Sequence, residues 1–114
     1  MAADMSGDTE FDLGPDKTLL VLDDDEPFRR RLARAMEKRG LETIALESVA
    51  QGLTQVRTAP PAYAVIDLRL EDGNGLDVVA ALRAAREAAR IVVLPGSGYI
   101  PTPIAAATIR RGGS

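Results

Sequence analysis

The chain contains no cysteine and no histidine. Without cysteine there is neither a disulfide framework nor a thiolate metal site, and without histidine the commonest metal ligand and acid–base catalyst is missing too. Any chemistry must run on carboxylates, hydroxyls, lysine or arginine. No apolar run reaches membrane-spanning length, and the opening MAADMSGDTEFDLGPD has neither the apolar core nor the basic flanks of a signal peptide. A soluble, cytoplasmic protein with no membrane partner is expected. The net charge of −3 disfavours sequence-independent attraction to nucleic-acid phosphates. Direct nucleic-acid binding is therefore not expected, and the locally basic FRRRLARAMEKR reads as the solvated face of a helix.

What is present fits one domain. With 114 residues, 46% hydrophobic and 27% charged, the chain can build one core and has no room for a second. Residues 1–16 are polar, acidic and aperiodic and are expected to form a mobile leader. Residues 17–111 would form the folded domain and 112–114 a tail.

From Lys17 onward, short apolar runs alternate with helical patterns, as in a parallel sheet with crossover helices. TLLVL (18–22) does not alternate polar with apolar, which predicts a strand buried on both faces in mid-sheet. Pro27 suits a first helical turn. Phe28, Leu32, Ala35 and Met36 then recur at helical spacing, with Arg29, Arg30, Arg34, Glu37 and Lys38 facing outward and Gly40 capping the end. Thr43 and Ile44 mark a second strand over 42–46. Ser48 to Gln51 reads as a capping box opening a helix that carries Val49, Leu53 and Val56 inward and is closed by Pro60 and Pro61. AYAVIDL (62–68) is another buried strand, with Asp67 at its end. The loop RLEDGNG leads into a helix over 76–89 with Leu76, Val79 and Leu82 inward. IVVL (91–94) is a fourth strand by the same reading, PGSG is the turn after it, and 102–110 predicts a short helix with Pro103 in its first turn.

The acids at the strand ends form a candidate site. In a doubly wound sheet, ligands bind beyond the carboxyl ends of the strands. Asp23 and Asp24 follow the first strand and Asp67 ends the third; if these strands are neighbours, their ends lie about 4.8 Å apart. At an effective dielectric near 20, two charges roughly 5 Å apart repel by about 3 kcal/mol, which favours protonation or a bound cation. Ligation by oxygen alone selects a hard ion such as Mg²⁺. Asp25 and Glu26 instead read as the start of a helix, where carboxylates favour the dipole.

Three segments, LLVLDDDEPFRRRLARAMEKRG, AYAVIDLRLEDGNGLDVV and ARIVVL, carry a resemblance over roughly residues 17–94. The acid pair, the lone acid and a glycine eight positions after it (Gly75) occur together and in order. In these the chain resembles the receiver domain of two-component response regulators, in wording closest to the proteobacterial redox-responsive global regulators. The resemblance implies an α/β, doubly wound, flavodoxin-like parallel sheet. It also implies a phosphoacceptor at Asp67, served by a histidine kinase or phosphotransfer protein. The implied Mg²⁺ shell maps onto Asp24 and Asp67 directly, the backbone carbonyl of Arg69, and Asp23 mainly through water. Gly73 and Gly75 would let the loop turn tightly. Such a chain is an acceptor rather than an enzyme.

The sequence departs from the family in two places. Pro95 stands where the family carries a switching Thr or Ser, removing a hydroxyl and a backbone N–H; Ser97 is a possible substitute. The fifth strand, with its switch aromatic and phosphate-pairing Lys, has no counterpart, so a receiver fold lacking the fifth strand and helix is expected. A central strand buries four or so apolar side chains worth roughly 8 kcal/mol, comparable to the stability of a whole domain. The apolar edge from Ile91 to Leu94 would then pair with a second copy, making a homo-oligomer. Two further readings compete: a pseudo-receiver acting by protein contacts alone, and a haloacid-dehalogenase-like phosphatase with Asp23 as nucleophile and Asp25 as acid–base.

Overall fold

The structure is a computed structural model and describes residues 14–96. The helix expected over 102–110, the strand expected to be missing after it, Ser97 and most of the leader lie outside the described residues. Within them, Thr18–Leu22 forms β1, Glu42–Leu46 β2, Tyr63–Asp67 β3 and Arg90–Leu94 β6. All pair in parallel, in the order β2-β1-β3-β6. The two unalternating runs sit in the middle, where both faces are covered. Leu20 and Leu22 on β1 and Ala64 and Ile66 on β3 enter the main core; Leu19 and Val21, of opposite parity, are buried on the other face.

Among the described residues, three helices cover the two faces. Helix α1 (Glu26–Lys38) packs on β1 and β2, while α2 (Val49–Thr58) and α3 (Leu76–Ala85) pack against each other over the main core. Asp25 caps α1 by accepting the Phe28 N–H at 3.2 Å. At its other end Gly40, at φ 94°, bonds back to Glu37 while Leu41 bonds to Met36, a Schellman arrangement. Its inner stripe is turned from the expected one: Ala33 is buried and Ala35 exposed. Arg29 is also turned inward, its side chain only 12% exposed. The stem of Arg29 extends the apolar stripe while its head finds polar partners, so its charge was no guide to its side.

Helix α2 opens as the capping box requires at Ser48, whose Oγ accepts the Gln51 N–H at 3.1 Å. The return bond is displaced: Gln51 Oε1 accepts the N–H of Glu47, not of Ser48. Helix α3 stops at Ala85, four residues short of expectation, because residues 86–89 turn to bury Ala89 and bring the Arg90 N–H onto the Ala62 carbonyl. Its phase differs too. Leu76 is 49% exposed and Val78 fully buried in its place, with Leu82 inward as expected.

The loop after β3 is not irregular. Arg69–Leu70 (β4) and Gly73–Asn74 (β5) form a small antiparallel hairpin. Strand β6 is an edge among the described residues, with Val92 57% exposed, rather than buried on both faces. Ahead of β1, inside the stretch read as a leader, Asp16 accepts from both the backbone N–H and hydroxyl of Thr18 and pairs with Arg86 at 2.7 Å. These bonds hold the Asp16 carboxyl down at about 2.

Where α2 meets α3, a Cβ on Gly52 would lie 3.0 Å from Leu22 and 3.1 Å from Val78, both fully buried. Alanine would gain up to about 1 kcal/mol of helix propensity, but overpacking costs about 1 to 3 kcal/mol. The expected result for Gly52→Ala is a net loss of about 1 kcal/mol in urea denaturation. A raised midpoint would show that this contact yields.

Candidate acidic site at the strand ends

β1 and β3 are adjacent in register, Leu22 opposite Ile66, so the residues that follow emerge at one level. Asp23 continues the sheet by one bond, its N–H donating to the Leu46 carbonyl at 3.1 Å. On the other side, the Leu68 N–H donates to the Leu94 carbonyl at 3.0 Å. Asp23 and Asp67 are buried and Asp24 is half-buried. The three carboxylates each offer an oxygen within 4.8 Å of the others. The expected cluster of Asp23, Asp24 and Asp67 is thus brought together. Asp25 and Glu26 take the helix-starting places expected of them, Asp25 as the cap and Glu26 in an exposed pair with Arg30.

Each buried acid has one oxygen engaged by the backbone. Asp23 Oδ1 accepts the Asp25 N–H at 2.9 Å, and Asp67 Oδ1 accepts the Arg69 N–H at 3.1 Å. Asp67 Oδ2 is buried and has no hydrogen-bond partner among the described residues. Such an orphaned acceptor costs about 1 to 3 kcal/mol, more when charged, unless something binds it. No ion pair among the described residues involves these three acids. Arg29, turned toward them, donates instead to the Asp23 backbone carbonyl at 2.8 Å and lies 3.7 Å from Glu47.

Burial, then the charge of Asp23 and the hydrogen bond that a protonated Asp67 can donate to it, and last the charge of Asp24, push the Asp67 carboxyl up to about 6. Asp23 is also raised, chiefly by burial, against the lowering effect of the Asp25 N–H. Donors of oxygen alone, closely spaced and without an internal counter-charge, suit a hard divalent cation. The orphaned Asp67 Oδ2 is the atom that most needs one.

The hairpin β4–β5 fixes the loop beside these acids. Gly73, expected in a tight turn, instead follows the turn at Glu71 and Asp72 and opens β5 at φ 154°. Gly75 has a different role: at φ −60° it needs no special conformation, but a Cβ there would collide with the Asp67 carbonyl oxygen and lie 2.9 Å from Ile66. Its N–H bonds the Leu68 carbonyl at 2.9 Å, drawing the start of α3 against the end of β3. Pro95 follows β6 directly, and Gly96 beside it lies against the aliphatic stem of Arg69.

Two contributors were missed by sequence reasoning. Arg29 could have been suspected from its place on the inner stripe of α1. Asp72, whose carboxylate caps α2 from the hairpin turn, has its partners 22 and 23 residues away, and no local pattern points to them.

The raised Asp67 sets a sign for the pH dependence. Its carboxyl goes from an ordinary 3.8 to about 6 in the folded chain, so the folded state holds the extra proton in that window and stability falls as pH rises through it. In metal-free buffer, Asp67→Asn should flatten this slope and raise the urea midpoint near pH 7 above wild type. A variant less stable than wild type there, with the slope intact, would overturn the account.

Residues 19–111 match the response regulator receiver domain family. The photosynthetic apparatus regulatory protein RegA of Cereibacter sphaeroides is 58% identical over 105 residues, which cover 92% of this chain and 57% of that protein. The acid tolerance regulatory protein ActR of Rhizobium meliloti is 55% identical over 92 residues, 81% of this chain and 47% of that one. The chain spans about half the length of the curated relatives it matches. Among solved structures, a response regulator protein from Burkholderia pseudomallei with a phosphorylated aspartic acid, calcium ion and citrate aligns at a TM-score of 0.68 and 33% identity, covering 82% of this chain and 55% of that one. With its flavodoxin-like parallel sheet and three acids at the strand ends, this chain belongs to the response regulator receiver domain family.

Proposed function

We propose that the chain is a phosphoacceptor in which Asp67 takes a phosphoryl group from a phosphohistidine on a histidine kinase or phosphotransfer protein. The observation that carries this reading is Asp67 Oδ2, a buried carboxylate oxygen without a hydrogen-bond partner among the described residues, inside a cluster of three acids. Asp24 and Asp67, the Arg69 backbone carbonyl and, through water, Asp23 would hold Mg²⁺. When bound, the ion supplies charge neutralisation for the carboxylates and for the incoming phosphoryl oxygens.

The chain's own residues do the rest. An Asp67 carboxylate oxygen attacks phosphorus as the P–N bond to the donor imidazole breaks; the bonding pair stays on that ring nitrogen, and the proton already on the other ring nitrogen leaves the imidazole neutral. The product is an acyl phosphate on Asp67 and a neutral histidine on the donor. The Arg69 N–H, bonded to Oδ1, holds the carboxylate plane while Oδ2 remains available. Pro95 offers the phosphoryl group neither hydroxyl nor N–H, so a hydroxyl movement at this position is not the switch. The cytoplasm, which contains both phosphohistidine donors and Mg²⁺, is the proposed compartment.

Incubation with Mg²⁺ and acetyl phosphate, followed by intact mass, tests the acceptor. One added phosphoryl group, lost in Asp67→Asn and on chelation of the ion, is the expected result. No gain together with no divalent-ion binding would replace the reading with a phosphorylation-independent interaction module. A modification that survives Asp67→Asn and disappears in Asp23→Asn would point to the phosphatase chemistry.

A second copy of the chain is the other proposed partner, through the β6 edge with its exposed Val92. Sedimentation velocity should show concentration-dependent association that Val92→Lys weakens. A monomer at all concentrations would remove this partner.

A further inference from the structure

The first N–H groups of a helix have no acceptor within it and must find one outside. In α2, the Gln51 N–H goes to Ser48 Oγ. The two before it leave the segment altogether: the Val49 N–H donates to Asp72 Oδ1 at 2.8 Å and the Ala50 N–H to Asp72 Oδ2 at 3.1 Å. Both oxygens of one carboxylate are used, and the carboxylate belongs to the turn between β4 and β5. These two bonds hold the Asp72 carboxyl below the usual carboxylate range.

Ser48 already supplies the local cap, so the long-range bond does more than begin a helix. A hairpin with two residues in each strand cannot hold its own position. It is fixed by Leu70, buried in the core, by the Gly75 N–H on Leu68, and by Asp72 on α2. Helix α2 is in turn a firm anchor, packed so closely on β1 and α3 that even a Cβ on Gly52 would crowd Leu22 and Val78. The hairpin so anchored begins with Arg69, whose N–H is bonded to Asp67 Oδ1.

We propose that Asp72 is a positioning residue, clamping the β4–β5 hairpin to the N-terminus of α2 and so setting where the Arg69 backbone stands beside Asp67. The clamp itself follows from the geometry; its effect on cation binding and phosphoryl acceptance rests on the function proposed above. Loss of Asp72 would free the Arg69 N–H and carbonyl to drift from the acid cluster while leaving Asp23, Asp24 and Asp67 in the chain.

Asp72→Ala and Asp72→Asn, compared with Ser48→Ala, test this. Ser48→Ala removes a cap from the same helix without touching the hairpin, so it matches the stability loss of a capping defect. After correction for global stability, amide hydrogen exchange at Arg69 and Gly75 should rise about tenfold in Asp72→Ala and stay at the wild-type level in Ser48→Ala. Asp72→Asn should fall between them, since its amide oxygen can accept one N–H while its NH₂ faces the other donor. Asp72→Ala should also raise the Mg²⁺ concentration needed for half-maximal phosphorylation by acetyl phosphate several-fold, with the rate recovering at saturating Mg²⁺. Equal exchange at Arg69 and Gly75 in Asp72→Ala and Ser48→Ala would reduce Asp72 to a helix cap and overturn the proposal. If the wild type binds no Mg²⁺ and accepts no phosphoryl group, the acceptor reading fails, and the exchange comparison still decides the clamp.

Discussion

Repulsion among three carboxylates placed side by side is the interaction on which the rest of this structure turns. The parallel register of β1 and β3 puts Asp23 and Asp67 at one level and Asp24 beside them. At roughly 5 Å and an effective dielectric near 20, each charged pair opposes folding by about 3 kcal/mol, a large share of a small domain's stability. The fold tolerates this because the acids sit at the open end of the sheet, beyond a β1 segment whose Leu20, Val21 and Leu22 are fully buried. The apolar part of each strand stabilises the sheet and its acidic end is held in place against its own charge.

Holding the acids takes backbone, not counter-charge. One oxygen of Asp23 and one of Asp67 is fastened by the N–H two residues on, the same local device used twice. Arg29 gives its N–H to the Asp23 carbonyl and makes no ion pair with the carboxylates. Gly75 allows the start of α3 to come against the Asp67 carbonyl, which no side chain would permit. These contacts remove freedom from the acids without lowering their negative charge. On the proposed reading this leaves the carboxylates open to an external cation, whereas a buried arginine pair would already neutralise them.

The sequence foretold the parts of this arrangement that obey a local rule. Unalternating apolar runs marked β1 and β3 as central strands, Gly40 and Ser48 marked helix ends, and the acids at two strand ends marked the site. Errors arose where a contact distant in sequence overrode the local pattern. Ala33 displaced Ala35 from the inner face of α1 once Arg29 was drawn inward by Asp23 and Glu47. Helix α3 took the phase that buries Val78 against Gly52, leaving Leu76 half in solvent, because the approach of Gly75 to Asp67 fixes where the helix begins. RLEDGNG looked like plain loop because a two-residue hairpin has too few positions to show alternation.

Arg69 joins these local and distant constraints. Its N–H bonds Asp67, its neighbour Leu70 is buried in the core, and its stem lies on Gly96, after Pro95. One residue therefore touches both the end of β3 and Gly96, two residues past β6. Gly96, at φ 126°, has no side chain to keep the stem away, and a Cβ there would lie 2.5 Å from Arg69 Cδ. The positive φ favours glycine here, and the Arg69 stem would have to shift to admit a side chain. On the proposed reading, a phosphoryl group added to Asp67 would find neither a hydroxyl nor a backbone N–H at Pro95.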